Sequence, residues 1–235
     1  MSDIGSTFPV SSSKIGTFPR AGGGRLGGVI GIIQELDSAR EAYLVRMAEM
    51  EKVKAEAATM TKELSEEGCD QCVYTQGQVT LQNIKGWSDV SIAYQFYICQ
   101  FPIHFSVMKI MEWTYGVAFD GFSPKECVLK ESKANYDQFF DSNGDVKFFM
   151  TIKNFGEGLF IKQASAQNAC AIKGMPPGKL EWYFMQPISA KYARIEFASE
   201  GLDINVIYKP MPLDYIKNNF CGRLTVSASG GDAGC

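Results

Sequence analysis

Cys69-Asp70-Gln71-Cys72 holds the closest pair of cysteines in the chain. The spacing suits a metal knuckle or a redox pair. Zinc normally takes four ligands, and no second close Cys/His pair accompanies this one: His104 stands alone, and Cys99, Cys127, Cys170, Cys221 and Cys235 are scattered. A redox pair of the thioredoxin type needs the start of a helix, where the dipole lowers a thiol pKa. This pair follows the expected end of one. The residues therefore read as mostly reduced, structural thiols with no metal and no cofactor, a local disulfide being the next alternative.

Three other patterns invite chemistry and fail on context. Gly22-x-Gly24-x-x-Gly27 matches a dinucleotide fingerprint, but no strand leads into it and no βαβ unit follows; it reads as a flexible hinge. Asp141-Ser142-Asn143-Gly144-Asp145 resembles the opening of a calcium loop. Its glycine comes too early and no glutamate closes it, so a polar hairpin turn is expected. The single histidine leaves no base for a Ser-His-Asp or Cys-His arrangement unless His104 serves, and His104 lies in an aromatic segment that reads as core or interface. Acidic residues are numerous, but the sequence alone assigns no pair of them to one cleft. No catalytic residue is named, and the chain reads as a non-enzyme.

Bulk properties narrow the class further. The 235 residues (26.0 kDa) are 46% hydrophobic, 21% charged and 12% aromatic, an ordinary globular composition rich enough in aromatics for a β-rich core. A net charge of -3 and a pI near 5.4 supply no basic footprint, so no nucleic-acid partner is expected. Seven cysteines, an odd number, cannot all pair within the chain. No secretory signal is read, which favours a cytoplasmic or particle-associated location. The apolar stretch 90–119 carries Gln95, Gln100, His104, Lys109 and Glu112 and is broken by Pro102, so it fits buried strands better than a membrane span.

The elements that would position such groups fall into four segments. Residues 1–28 form a Gly-, Ser- and Pro-rich arm in which Ile4-Gly5-Ser6-Thr7-Phe8-Pro9 returns, one residue shorter, as Ile15-Gly16-Thr17-Phe18-Pro19; each copy offers an aromatic anchor held extended by the proline. Residues 29–68 predict a long helix with Leu36, Tyr43, Met50, Ala57 and Leu64 at every seventh position, one apolar stripe fit for partner helices. Residues 73–226 predict an antiparallel β-sandwich or jelly-roll-like domain, with strands at 78–84, 90–100, 103–113, 127–130, 146–153, 158–163, 180–186, 193–197, 203–208 and 223–226. Its core is expected to hold Phe96, Phe101, Phe105, Trp113, Phe148 and Trp182. Residues 227–235 are a small-residue tail.

This α+β layout suggests a structural subunit of a large multi-chain particle, such as a virion or phage component. The arm would bind neighbouring subunits, in a homo- or hetero-oligomer, through Phe8, Pro9, Phe18 and Pro19, and the helix through Leu36, Tyr43, Met50 and Leu64. The alternative is a membrane-active, pore-forming or surface-binding protein, weakened by the acidic excess of the helix.

Overall fold

The computed structural model describes residues 25–147 and 159–220. Phe8, Pro9, Phe18, Pro19, Gly22, Gly24, Phe148, the expected strand 223–226 and most of the expected strand 146–153 lie outside them. The chain divides into two compact units, residues 1–44 and 45–235.

Helix α1 (Arg25–Glu66) runs as the heptad pattern requires, starting early enough to include Gly27 and Gly28. Leu36 and Tyr43 are 64% and 62% exposed. Within the second unit the same stripe goes inward: Val53 and Ala57 are buried, and Met50 and Leu64 pack half-buried on that core. No described helix is long and apolar enough to cross a membrane.

The rest is mixed α+β. One sheet is antiparallel: β3 (Lys109–Tyr115) pairs with β1 (Gln78–Asn83), β2 (Ile103–His104) and β4 (Val117–Phe119). The other runs β5 (Gly121–Ser123), β6 (Val128–Lys133), β7 (Lys179–Phe184) and β8 (Asn205–Tyr208). Here β5 and β6 are antiparallel, but β6 to β7 and β7 to β8 are parallel. Parallel neighbours need a crossover, and helices α3 (Leu159–Ala171) and α4 (Pro187–Ser199) lie in the two connections. The expectation of a wholly antiparallel domain therefore fails for β6, β7 and β8.

Three expected strands are helices, each for a local reason. Residues 90–100 fall in α2 (Asp89–Cys99), which is capped by Ser88, whose side chain accepts a hydrogen bond from the Ser91 N–H, and stopped by Gln100 in the left-handed region. Its aromatic and β-branched residues suit a strand, yet Ile92, Ala93, Tyr94, Gln95, Ile98 and Cys99 are all buried. A helix enclosed on several sides loses the polar face that would reveal it. Of the expected strand 158–163, residues 159–163 open α3, where Phe160, Ala164, Gln167 and Ala171 are buried at helical spacing. Residues 193–197 lie in α4, which begins with Pro187 and buries Ser189, Ala190, Ala193 and Phe197. A short α5 (Tyr215–Phe220) follows β8.

The expected aromatic core is found for Phe101, Trp113 and Trp182, while Phe96 and Phe105 sit at its edge. Trp113 and Trp182 are fully buried, Phe101 is buried, and Phe96 and Phe105 are half-buried. Trp113 stacks on Phe122 with ring centres 4.8 Å apart, and Trp182 meets Phe197 edge-on at 5.1 Å. Asn143-Gly144 makes the expected turn: Gly144 has φ +86°, and Asp141 Oδ1 accepts from the N–H groups of Asn143 (2.8 Å) and Asp145 (3.1 Å).

The cysteine expectation holds only in part. Among the described residues Cys69, Cys99 and Cys170 are free, but Cys72 and Cys127 form a disulfide. Fifty-five positions separate them in sequence, and only the fold brings the start of β6 beside the turn after α1.

Candidate active site

Strand β6 is buried at Val128 and Leu129, as a sheet strand should be, and then continues through Glu131-Ser132-Lys133. Glu131 and Lys133 are 3% and 5% exposed. Residues two apart on a strand share a face, so both side chains project together. Residues four apart on a helix do the same, and α3 meets them with Gln163 and Gln167.

The result is a closed polar network. Glu131 Oε1 accepts from Lys133 Nζ and from Gln163 Nε2 (2.8 Å), while Glu131 Oε2 accepts from Gln167 Nε2 (2.7 Å). Lys133 Nζ also donates to Gln163 Oε1 (2.9 Å) and lies 4.6 Å from the centre of a Trp182 ring. Trp182 Nε1 donates to Gln167 Oε1 at 2.9 Å, fixing which end of that amide faces the glutamate. Asp120, between β4 and β5, reaches the same strand: its Oδ2 accepts from Ser132 N (2.8 Å) and Ser132 Oγ (2.6 Å).

These groups open onto a cavity of about 510 Å³ lined by Asp120, Glu131, Lys133 and Gln163, together with Gln82, Trp87, Gln95, Glu112 and Tyr136. Helix α2 forms part of the lining and packs against β6. Its approach depends on Gly121, where an added Cβ would come within 2.7 Å of Cys99 Cβ. Gln95 is 2% exposed, and its Nε2 has no hydrogen-bond partner among the described residues. A buried amide donor without a partner carries a desolvation penalty that a ligand oxygen would remove.

Electrostatics mark the cavity as strained. Burial and the neighbouring Glu131 charge push Asp120 up to about 8, against the lowering effects of Lys133 and Ser132. Glu112 is also raised, by burial first and by Glu131 among the rest, although the Thr80 hydroxyl at 3.3 Å pulls the other way. Burial alone would lower Lys133, but Glu131, Tyr136 and Asp120 outweigh it and hold the ammonium charged. Raised carboxylate pKa values beside a charged lysine in one cavity are a pattern that clusters at functional sites.

The donors are of the kind a hard divalent cation takes. They are oxygen groups, with Asp120 and Glu131 presented from different segments to one cavity, and magnesium is usually held by one or two carboxylates plus water and substrate phosphate.

Residues 91–187 match a family model described as Restriction endonuclease fold toxin 5. The match covers under half of the chain and contains Gln95, Glu112, Asp120, Glu131, Lys133, Gln163, Gln167 and Trp182. No curated protein matches the chain.

This match overturns the reading as a non-enzymatic virion or particle subunit, and with it the alternative of a pore-forming protein. A restriction-endonuclease-fold toxin points to nuclease activity. The particle reading leaned on the arm and on the heptad stripe of α1, both outside the matched segment.

None of the described residues proposed from the sequence as interaction, metal or catalytic candidates lies in this cavity; Gln95 and Glu112, which line it, stood out only as polar interruptions of an apolar stretch. His104 is half-buried, with its Nε2 3.6 Å from Glu56 Oε1. Leu36, Tyr43, Met50 and Leu64 belong to α1. The sequence does carry a signal for the site: an acid and an amine two residues apart continuing an apolar strand. An expected strand that ends at residue 130 leaves both out.

Proposed function

We propose that this protein is a divalent-cation-dependent nuclease that hydrolyses phosphodiester bonds, acting as a toxin. The observation that carries the reading is the convergence of Asp120, Glu131 and charged Lys133 on one cavity, within the segment similar to a restriction endonuclease fold toxin. On this reading the substrate would be a nucleic acid, although net charge, a property of the whole chain and not of one cleft, led to the expectation of no such partner.

Asp120 and Glu131 would hold the cation, whose chemistry there would be to lower the pKa of a bound water and offset phosphate charge. The chain's own groups supply the rest. Lys133, held charged and oriented by Glu131 and Gln163, stabilises negative charge building on a phosphoryl oxygen. Gln95 offers its unpaired Nε2 to a second phosphate oxygen. Ser132 pins one oxygen of Asp120, and Gln167, locked by Trp182, keeps Glu131 from swinging out of the cavity.

The test is incubation of the purified full chain with plasmid DNA and with structured RNA, in magnesium or manganese and then in EDTA. Cleavage of at least one polymer, lost with EDTA and with Glu131→Gln, is expected. Absence of cleavage of both polymers in both metals would sink the proposal.

A further inference from the structure

At the end of β6 away from Glu131, three sulfurs meet. Cys69 and Cys72 lie in a tight turn closed by Cys72 N–H donating to the Cys69 carbonyl (3.2 Å), with Gln71 at φ +67°. Cys127 immediately precedes β6, and its N–H donates to the Pro124 carbonyl at 3.2 Å. That carbonyl also accepts from the Cys69 N–H at 3.2 Å. The two turns are thus tied together by backbone bonds that do not depend on the disulfide.

Cys72 and Cys127 are buried and joined, while Cys69 is a half-buried free thiol. All three sulfurs lie within 4.8 Å of one another. A disulfide uses two sulfurs and leaves the third unbonded. A thiophilic cation can use all three: zinc binds thiolates at about 2.3 Å, which puts tetrahedral sulfurs roughly 3.8 Å apart, so the Cys72 and Cys127 sulfurs would part on reduction while Cys69, within 4.8 Å of both, would close in slightly. Two residues between Cys69 and Cys72 also give the usual spacing of a zinc-binding turn.

We propose that Cys69, Cys72 and Cys127 form a three-thiolate zinc site when the Cys72–Cys127 bond is reduced, with the fourth position left to water or another exogenous ligand. A dithiol reductant supplies two electrons and two protons, converting the disulfide into two thiols and becoming a disulfide itself. Zinc then displaces the thiol protons as the three sulfurs bind as thiolates. The start of β6 is tied to the turn after α1 in either state: by a covalent bond when oxidised, by a metal when reduced. The sequence lacked a third nearby ligand, and the fold provides it in Cys127.

The experiment uses the full chain, oxidised or reduced without oxygen, titrated with Co²⁺ and then Zn²⁺. Reduced protein is expected to take up one cobalt, develop thiolate-to-cobalt charge-transfer absorption and surrender it to zinc; oxidised protein binds neither. Cys69→Ser, which leaves the disulfide pair intact and is checked for folding by circular dichroism, should weaken binding by at least about tenfold, the loss seen even for groups one layer outside a metal. Cys170→Ser should leave binding unchanged. Reduced protein that binds no stoichiometric cobalt or zinc would overturn the proposal, as would uptake that survives Cys69→Ser. If reduction unfolds the chain, refolding on addition of zinc supports the site, and failure to refold counts against it. None of these readouts depends on nuclease activity.

Discussion

The two ends of β6 are held by opposite kinds of chemistry. At one end Cys127 is clamped to Cys72 next to apolar neighbours, and the clamp restricts the unfolded chain without burying any charge. At the other, Glu131 and Lys133 are buried as a charged pair and wrapped by two glutamines. Burying ions costs several kcal/mol each, and well-packed apolar residues of similar volume often do as well or better for stability. The sulfur end therefore reads as architecture. The charged end, with two carboxylates that resist ionisation, reads as a place where stability yields to chemistry.

The largest expected effect is on activity. Lys133→Met removes the fixed cation from the cavity and should lower the cleavage rate by about 10²–10³-fold, the range for losing one preorganised electrostatic partner of a transition state. Gel or fluorescence assays on whichever polymer is cut measure it. A variant that cleaves at the normal rate would show that the pair is structural after all, and the contrast between the two ends would collapse.

The same substitution should also destabilise the fold, by about 3–5 kcal/mol, because Glu131 is left buried without its cation. Urea denaturation reads this directly. The contrast is sharpened by the double variant Glu131→Leu/Lys133→Met, expected to be more stable than Lys133→Met alone while remaining inactive. If the double variant is the less stable one, the pair contributes net stability and the charged end is architecture as well.

How far the sequence revealed these two ends differs for a physical reason. The helix around Leu36 to Leu64, the strands at Gln78, Leu180 and Asn205, the turn at Asn143-Gly144 and the burial of Trp113 and Trp182 follow local rules of period and turn chemistry, and they were legible. Helix α2 was not, because it buries enough of its surface to erase the polar stripe that betrays a helix; α3 and α4 keep a buried face at helical spacing, but small or polar residues such as Ala164, Gln167, Ser189 and Ala193 fill much of it and mask the period. The cap at Ser88 and the proline at 187 were the surviving clues. The site was illegible for a related reason. Asp120 joins Glu131 only through the antiparallel pairing of β5 with β6, and Gln163 and Gln167 join only through a helix whose opening residues read as a strand. Cys72 and Cys127 likewise became partners through the fold, not through spacing.

A smaller effect is expected at the sulfur end. Cys72→Ser opens a loop closed across a sequence separation of 55 residues and should cost about 2–4 kcal/mol under non-reducing conditions. The urea midpoint reports the loss. A variant as stable as the parent would mean that backbone bonds alone fix the start of β6. Loss of nuclease activity in a variant that stays fully folded would instead assign chemistry to both ends.

The effect that separates the ends most cleanly concerns pH. Asp120 has its pKa pushed up to about 8 by burial and by Glu131, with Lys133 and Ser132 opposing, whereas an unfolded aspartate titrates near 3.9. Between those values the folded chain holds a proton that the unfolded chain has released. A raised pKa therefore contributes stability that is fully present below about pH 4 and is lost progressively as pH rises to about 8. An asparagine in place of Asp120 would not titrate, and its amide oxygen can still accept from the Ser132 N–H and hydroxyl. Asp120→Asn should accordingly melt close to the parent at pH 5 and several degrees above it at pH 9, with Cys72→Ser showing no such divergence. Magnesium should raise the parent's melting temperature at pH 9 more than the variant's, since a cation at the carboxylates stands in for the missing proton. A melting difference independent of pH would mean that Asp120 keeps one protonation state across this range, and the contrast in pH response between the two ends of β6 would be lost.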